Sequence, residues 1–196
     1  MTDTPIIGRR ERKKAATRQA LADAALELFL AHGYDQVSIR DVAEAADVST
    51  TTLFKHFPSK EALVFDLDAD QEAALVAAVR DRSPGTSIPR ALRDHLLDAR
   101  FFAPDDGDQL TAFHQLVRAT PALTEYHRRM WMRHQQAVAR AIAESVNAPA
   151  DDPRCTSLAH FALDARTLAE ASADPRATMC AAFDLLERGW GAVGSE

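Results

Sequence analysis

The sequence predicts an all-α protein. Ala and Leu are abundant, while Gly and the β-branched residues are sparse after residue 52. Apolar positions recur at three- and four-residue steps in most segments between turn signals. The expected architecture is an N-terminal three-helix head over residues 15–75 and a larger helical domain over 76–196, about nine helices in all.

Residues 1–14 read as a loosely attached tail whose basic run, GRRERKKAATR (8–18), enters the first helix. From about Thr17 to His32, Leu21, Ala25, Leu28 and Phe29 give an amphipathic helix, and Gly33 is placed to end it. Ser38 then precedes Ile39, Val42, Ala43 and Ala46 at helical spacing. It is a cap, with Asp41 in the first turn where the helix dipole favours an anion. ADVS (46–49) breaks the pattern, and Ser49 caps a short helix whose inner side is Leu53 and Phe57. Pro58 stops that helix. Ser59 opens a long one, with Glu61 in its first turn and Leu63, Val64, Leu67, Leu75, Val76 and Val79 as apolar positions, running to SPGTSIP (83–89). The domain boundary is expected inside this long helix. Further helices are expected over 88–103, 108–119, 121–147, 153–172 and 175–193, separated by APDDGD, TP, NAPADDP and ADP.

Residues 38–57 therefore hold two helices of about two turns joined by a tight turn, the size and layout of a helix-turn-helix whose second helix enters the major groove of DNA. Helices this short are marginal alone and need the helix over 17–32 to pack against. The stretch SIRDVAEAADVSTTTLFKHFPSKEAL (38–63), preceded by TRQALADAALELFLAHGYDQVSIRDVA (17–43) with its Gly-aromatic turn, resembles the TetR family of bacterial transcriptional regulators over about residues 15–65. The resemblance implies a homodimer with two heads on a double-stranded, palindromic DNA operator. It also implies a C-terminal helical domain that binds a small-molecule effector and dimerises through its last two helices, here residues 153–193. Such a protein usually represses, and effector binding changes the separation of its heads; release by a small apolar effector is expected here, with activation, or regulation without a ligand, by the same head as the alternative.

Carried onto this chain, the recognition helix is about Thr50–His56. Thr50, Thr51 and Thr52 are short polar groups able to donate to phosphates or touch a thymine methyl, and Lys55 is able to reach phosphate or guanine. His56 resembles the family's phosphate-contacting histidine and Lys60 its phosphate-binding lysine. Ser49 and Arg40 complete the candidate DNA-facing set, and the backbone N–H groups near Ser59 add an anion site. Phe54 is also in this set, for a sugar or methyl contact or simply for packing; it departs from the family, which often has a tyrosine there whose hydroxyl bonds a phosphate. Each residue has a plainer alternative: Leu53 and Phe57 are core, Thr52 is equally a local cap, and Arg40 is equally a solvated side chain.

Charge supports this placement. The net charge of −6 divides unevenly: residues 1–60 hold nine Lys/Arg against eight Asp/Glu, and residues 61–196 hold fourteen against twenty-one. All four lysines (Lys13, Lys14, Lys55 and Lys60) lie in the first part. An acidic protein binds nucleic acid when its basic groups gather on one face. The basic arm at 8–18 is either a solvated tail or a cation reaching the DNA backbone or minor groove.

In the second domain, Phe101, Phe102, Phe113, His114, Trp131, His134 and Phe161 are the candidate ligand-binding set, since helical pockets are mostly apolar with a few placed polar groups. Their plainer role is to fill the core. HRRMWMRH (127–134) lacks a carboxylate between its histidines. The chain has no HExxH, phosphate-cradling glycine loop or GxSxG turn, so an enzyme is not expected, and neither a cofactor nor a metal is called for. A helical interaction protein without DNA contact would show an apolar stripe in place of the threonine-lysine-histidine face. Cys155 and Cys180 are far apart and read as reduced, small hydrophobes. No apolar stretch nears the roughly 20 residues that span a bilayer, so no membrane partner is expected and the location is cytoplasmic by default.

Overall fold

The computed structural model describes residues 8–98 and 107–193, of which 107–109 and 191–193 by their backbone alone. Among the described residues the secondary structure is helical throughout: ten α-helices and one short 3-10 turn. The chain divides into two units. One comprises the chain up to Leu67 together with Asp108–His127; the other comprises Asp68–Gly107 and the chain from Arg128 onward.

The first unit opens on α1 (Arg9–His32). This helix starts well before the expected point near Thr17, so the basic run is helical rather than a loose tail. Arg, Lys, Glu and Ala are good helix formers, and Glu11 sits in the first turn where the dipole favours it. Leu21, Ala22, Ala25 and Phe29 are its buried stripe. Gly33 ends it with φ +86°, a value glycine adopts without cost, while its N–H donates to the Phe29 carbonyl at 2.9 Å. A 3-10 turn (Tyr34–Gln36) follows, with the Tyr34 ring 5.1 Å from that of Phe29.

Helix α2 (Ile39–Ala45) begins at the expected cap. The Asp41 N–H donates to the Ser38 hydroxyl, and the Asp41 carboxylate accepts from the Ser38 N–H at 2.8 Å, a complete capping box. The bonds the carboxylate accepts from the Ser38 N–H and, at 2.8 Å, from the Ser38 hydroxyl hold the Asp41 carboxyl below its usual range. The turn after α2 is a Schellman motif. Val48 N–H bonds the Ala43 carbonyl at 2.9 Å and Asp47 N–H that of Glu44 at 3.0 Å, with Asp47 at φ 52°. Helix α3 (Thr50–His56) is capped by Ser49, which accepts from Thr52 N–H at 3.1 Å. Leu53 and Phe57 are fully buried, and each stabilises this packing by roughly 1.5–3 kcal/mol.

Where one long helix was expected after Ser59, there are two: α4 (Lys60–Val64) and α5 (Asp68–Arg80), separated by a turn over residues 65–67. Two tertiary interactions account for the break. Phe65 leaves helical geometry (φ −111°, ψ 50°) and is buried against the rings of Phe113, Tyr126 and His127, 5.4–6.1 Å away. The Asp66 carbonyl is taken by the Arg18 guanidinium at 2.6 Å. This division raises the helix count to ten from the expected nine.

In the second unit α5 packs on α6 (Ile88–Asp98), and α6 packs on α9 (Pro153–Glu170) and α10 (Pro175–Val193), which also pack on each other. Leu75, Val79, Leu92, Leu96, Leu163, Met179 and Phe183 are in its core, together with Val138 and Ile142 from α8 (Pro121–Ser145). Helix α7 (Gly107–Ala119), from Asp108 onward, and the first turns of α8 belong to the first unit. Cys155 is buried, Cys180 is half-buried, and both are free thiols. No described helix is long and apolar enough to cross a membrane.

Candidate nucleic-acid interface

Helix α3 has two sides. Leu53 and Phe57 fasten one to the interior of the head, while Thr50, Thr51, Phe54 and Lys55 stand in solvent on the other. Phe54 is 54 % exposed, so its ring is not a core residue. Thr52 is half-buried, and its hydroxyl lies 2.9 Å from that of Ser49. Ser49 and Thr52 thus share the cap of the helix. Arg40, exposed on α2, lines a shallow concavity with Glu44, Asp47, Ser49 and Thr50, beside the start of α3.

His56 closes the helix and is half-buried. Burial, then the charges of Arg18 and Lys14, hold its imidazole below the ordinary histidine value. Lys14 lies in the basic run of α1, and its charge acts on His56 at the C-terminal end of α3. Helix α3 thus ends in a cationic neighbourhood, the charge that a DNA backbone attracts.

Lys60 is less accessible than its sequence position suggests. Its ammonium donates to the Tyr34 carbonyl and lies 4.0 Å above the Tyr34 ring, and burial lowers its pKa. Tyr34 in turn donates its hydroxyl to Glu61 at 3.0 Å. Burial first, and then this bond, raise the Tyr34 pKa. Lys60 therefore fastens the 3-10 turn to α4, whose N-terminal end is capped by Ser59 accepting from the Ala62 N–H at 3.3 Å.

The candidate ligand set is divided. Phe101 and Phe102 lie outside the described residues. Phe113 and His114 are half-buried on α7 in the first unit, 5.8 Å apart ring to ring. Trp131 and His134 belong to the second unit, their rings 5.1 Å apart and nearly perpendicular. His134 is fully buried and its Nε2 lies 2.7 Å from Asp68, which also accepts from Arg133 at 2.5 Å. Phe161 is 57 % exposed on the outside of α9, its ring 5.6 Å from His160.

Sequence reading passed over Arg18 and Asp68. Arg18 carried a signal: it falls in phase with Leu21, Ala25 and Phe29 on the apolar stripe of α1, where a charged group requires buried partners. Asp68 carried none, because its partners Arg133 and His134 are more than 60 residues away in sequence.

Comparison with known proteins agrees with this geometry. The family model described as "Bacterial regulatory proteins, tetR family" matches residues 21–67, and that described as "MftR C-terminal domain" matches residues 86–191. The HTH-type transcriptional regulator TcmR of Streptomyces glaucescens is 33% identical over 165 residues, covering 77% of this chain and 73% of its own. The HTH-type transcriptional repressor Rv1474c of Mycobacterium tuberculosis is 27% identical over 184 residues, covering 88% and 92%. Salmonella enterica GusR has the same fold at a TM-score of 0.56 and 18% identity, covering 87% of this chain and 93% of its own. The chain belongs to the TetR family of transcriptional regulators, and it is a DNA-binding protein.

Proposed function

We propose that the chain is an effector-responsive repressor that works in the cytoplasm as a homodimer, each copy placing α3 in the major groove of one half of a palindromic operator. The observation that carries this reading is the outward side of α3. Thr50, Thr51, Phe54 and Lys55 are exposed on a helix held from beneath by Leu53 and Phe57, with His56 and Lys14 at its end. Short hydroxyls and a lysine suit base edges and phosphates, and an exposed phenyl suits a thymine methyl or a sugar. Arg40 and Lys60 flank this surface as candidate backbone contacts. The head is assigned to residues 15–75, and effector binding and dimerisation to 76–196.

Exposed Phe161 and Leu168 on α9 and Leu185 on α10 support dimerisation through residues 153–193, since large apolar groups left in solvent mark interaction surfaces. A small apolar effector is supported by Trp131 beside buried His134, whose Nδ1 has no hydrogen-bond partner among the described residues. Repression, rather than activation, is favoured by the repressor among the relatives.

Selection of bound duplexes from a random-sequence pool tests the DNA reading, and an inverted repeat is the expected product. Enrichment of single, unrepeated sites would sink the dimeric model. Release of the selected duplex on adding apolar compounds, scored by fluorescence anisotropy, tests the effector. Tighter binding on their addition would reverse the sign of regulation.

A further inference from the structure

We propose that Arg18 is a positioning residue for the recognition helix: its guanidinium sets the tilt of α3 and ties it to the bend between α4 and α5. The proposal rests on the DNA-binding role of α3. One terminal nitrogen of Arg18 donates to the His56 carbonyl at 2.7 Å, the last of α3; the other donates to the Asp66 carbonyl at 2.6 Å, just beyond α4. The guanidinium carbon also sits 4.2 Å over the ring of Phe57.

Carbonyls at a helix end lack intrahelical partners and carry the negative end of the dipole, so a cation there satisfies and stabilises them. A planar guanidinium offers its donors in a fixed fork, so holding two carbonyls at once also fixes their spacing and angle. The N-terminal end of α3 is held by Ser49 and its underside by Leu53 and Phe57. Arg18 supplies the remaining restraint, at the C-terminal end. One N–H of each terminal nitrogen is given to a protein carbonyl and the group stacks on Phe57, so its proposed action is through α3. Because the same group holds Asp66, a movement of the α4–α5 bend is felt at the C-terminal end of α3 through a single side chain.

The experiment compares wild type with Arg18→Lys, which keeps the charge and loses the fork. Each is titrated across a range of salt with a duplex the wild type has selected from a random pool, and with an unselected duplex of equal length. Arg18→Lys is expected to lose roughly ten- to a hundredfold on the selected duplex, the size of one misplaced base contact. It should change by no more than about twofold on the unselected one, with its salt slope retained. Equal losses on both duplexes with a slope shallower by about one would make Arg18 a phosphate contact and overturn the proposal. Unchanged affinity for the selected duplex would overturn it as well. A wild type that selects no sequence would instead sink the DNA-binding reading itself.

If Arg18→Lys does not fold, the wild-type complex with the selected duplex decides by NMR. Arg18 terminal N–H protons that stay in slow exchange, without cross-peaks to sugar protons, support positioning. Contacts to the DNA sugars refute it.

Discussion

The proposed interface makes His56 the residue where protonation and DNA binding meet. In the free protein, burial and the charges of Arg18 and Lys14 hold its pKa below the usual 6.5. A phosphate against the ring favours the imidazolium, so the complex holds a proton more tightly than the free protein does. Affinity therefore rises as pH falls from about 7.5 toward 5.5, by up to tenfold for each unit by which DNA raises the pKa. Folding moves the opposite way. A histidine whose folded pKa is depressed contributes stability above its unfolded pKa, and that contribution is lost as pH falls through the folded one. Anisotropy titrations at several pH values measure the first effect and thermal melts the second. The His56→Gln variant should flatten both, and a pH-independent wild-type affinity would remove His56 from the interface. The two lysines separate in a similar way. Lys55→Ala should lower the salt slope by about one without changing the melt, because Lys55 is exposed. Lys60→Ala should lower both, because Lys60 also holds the Tyr34 carbonyl and ring. A Lys60→Ala protein with an unaltered salt slope would leave Lys60 a purely structural residue.

At the scale of the element, α2 and α3 are seven residues each, too short to persist without caps and a surface to pack on. Ser38→Ala removes one half of the capping box and should cost about 1 kcal/mol in urea denaturation. Thr51→Ala, on the outward side of α3, should stay within about 0.5 kcal/mol of wild type while weakening DNA binding. If the Thr51 variant proved the less stable of the two, the division of α3 into an inward and an outward side would be wrong. The same local chemistry decides which elements are legible from sequence. The bounds of α3 follow from Ser49 and Pro58, and those of α9 and α10 from Asp152–Pro153 and Asp174–Pro175, all signals within a few residues of the helix ends. The break at residues 65–67 was not legible, because its causes are Arg18, distant in sequence, and a ring cluster contributed by α7 and α8. The exposed polar side of α3 was legible for a related reason. A polar and cationic side on a helix with an apolar underside is written in a few consecutive positions. A ligand cavity is not: Phe113, Trp131 and Phe161 have the same helical spacing whether they line a pocket, fill a core or face solvent.

At the scale of the whole molecule, affinity for an inverted repeat depends on linking two heads, because joining two weak contacts multiplies their strength by roughly 10²–10⁴ without any new contact. Helices α9 and α10 pack on each other and bury Ala159, Ala162, Leu163, Met179 and Phe183 in the core of their unit, yet leave Phe161 at 57 %, Leu168 at 61 % and Leu185 at 68 % exposure. Among the described residues, none covers these three side chains. A charged residue there should leave the fold intact while opposing burial against a second copy, since an unpaired charge removed from water costs several kcal/mol. Leu185→Glu is expected to yield a monomer at micromolar concentration by light scattering, with helical content and melting of the monomer retained. Its affinity for the selected inverted repeat should drop to that for a single half-site. Phe161→Glu separates the two roles proposed for that side chain. Loss of the dimer places Phe161 at the subunit interface, whereas an intact dimer with weakened effector release places it in the ligand site. A Leu185→Glu, Phe161→Glu double variant that stays dimeric and binds the inverted repeat at wild-type strength would show that the heads are joined elsewhere than through α9 and α10.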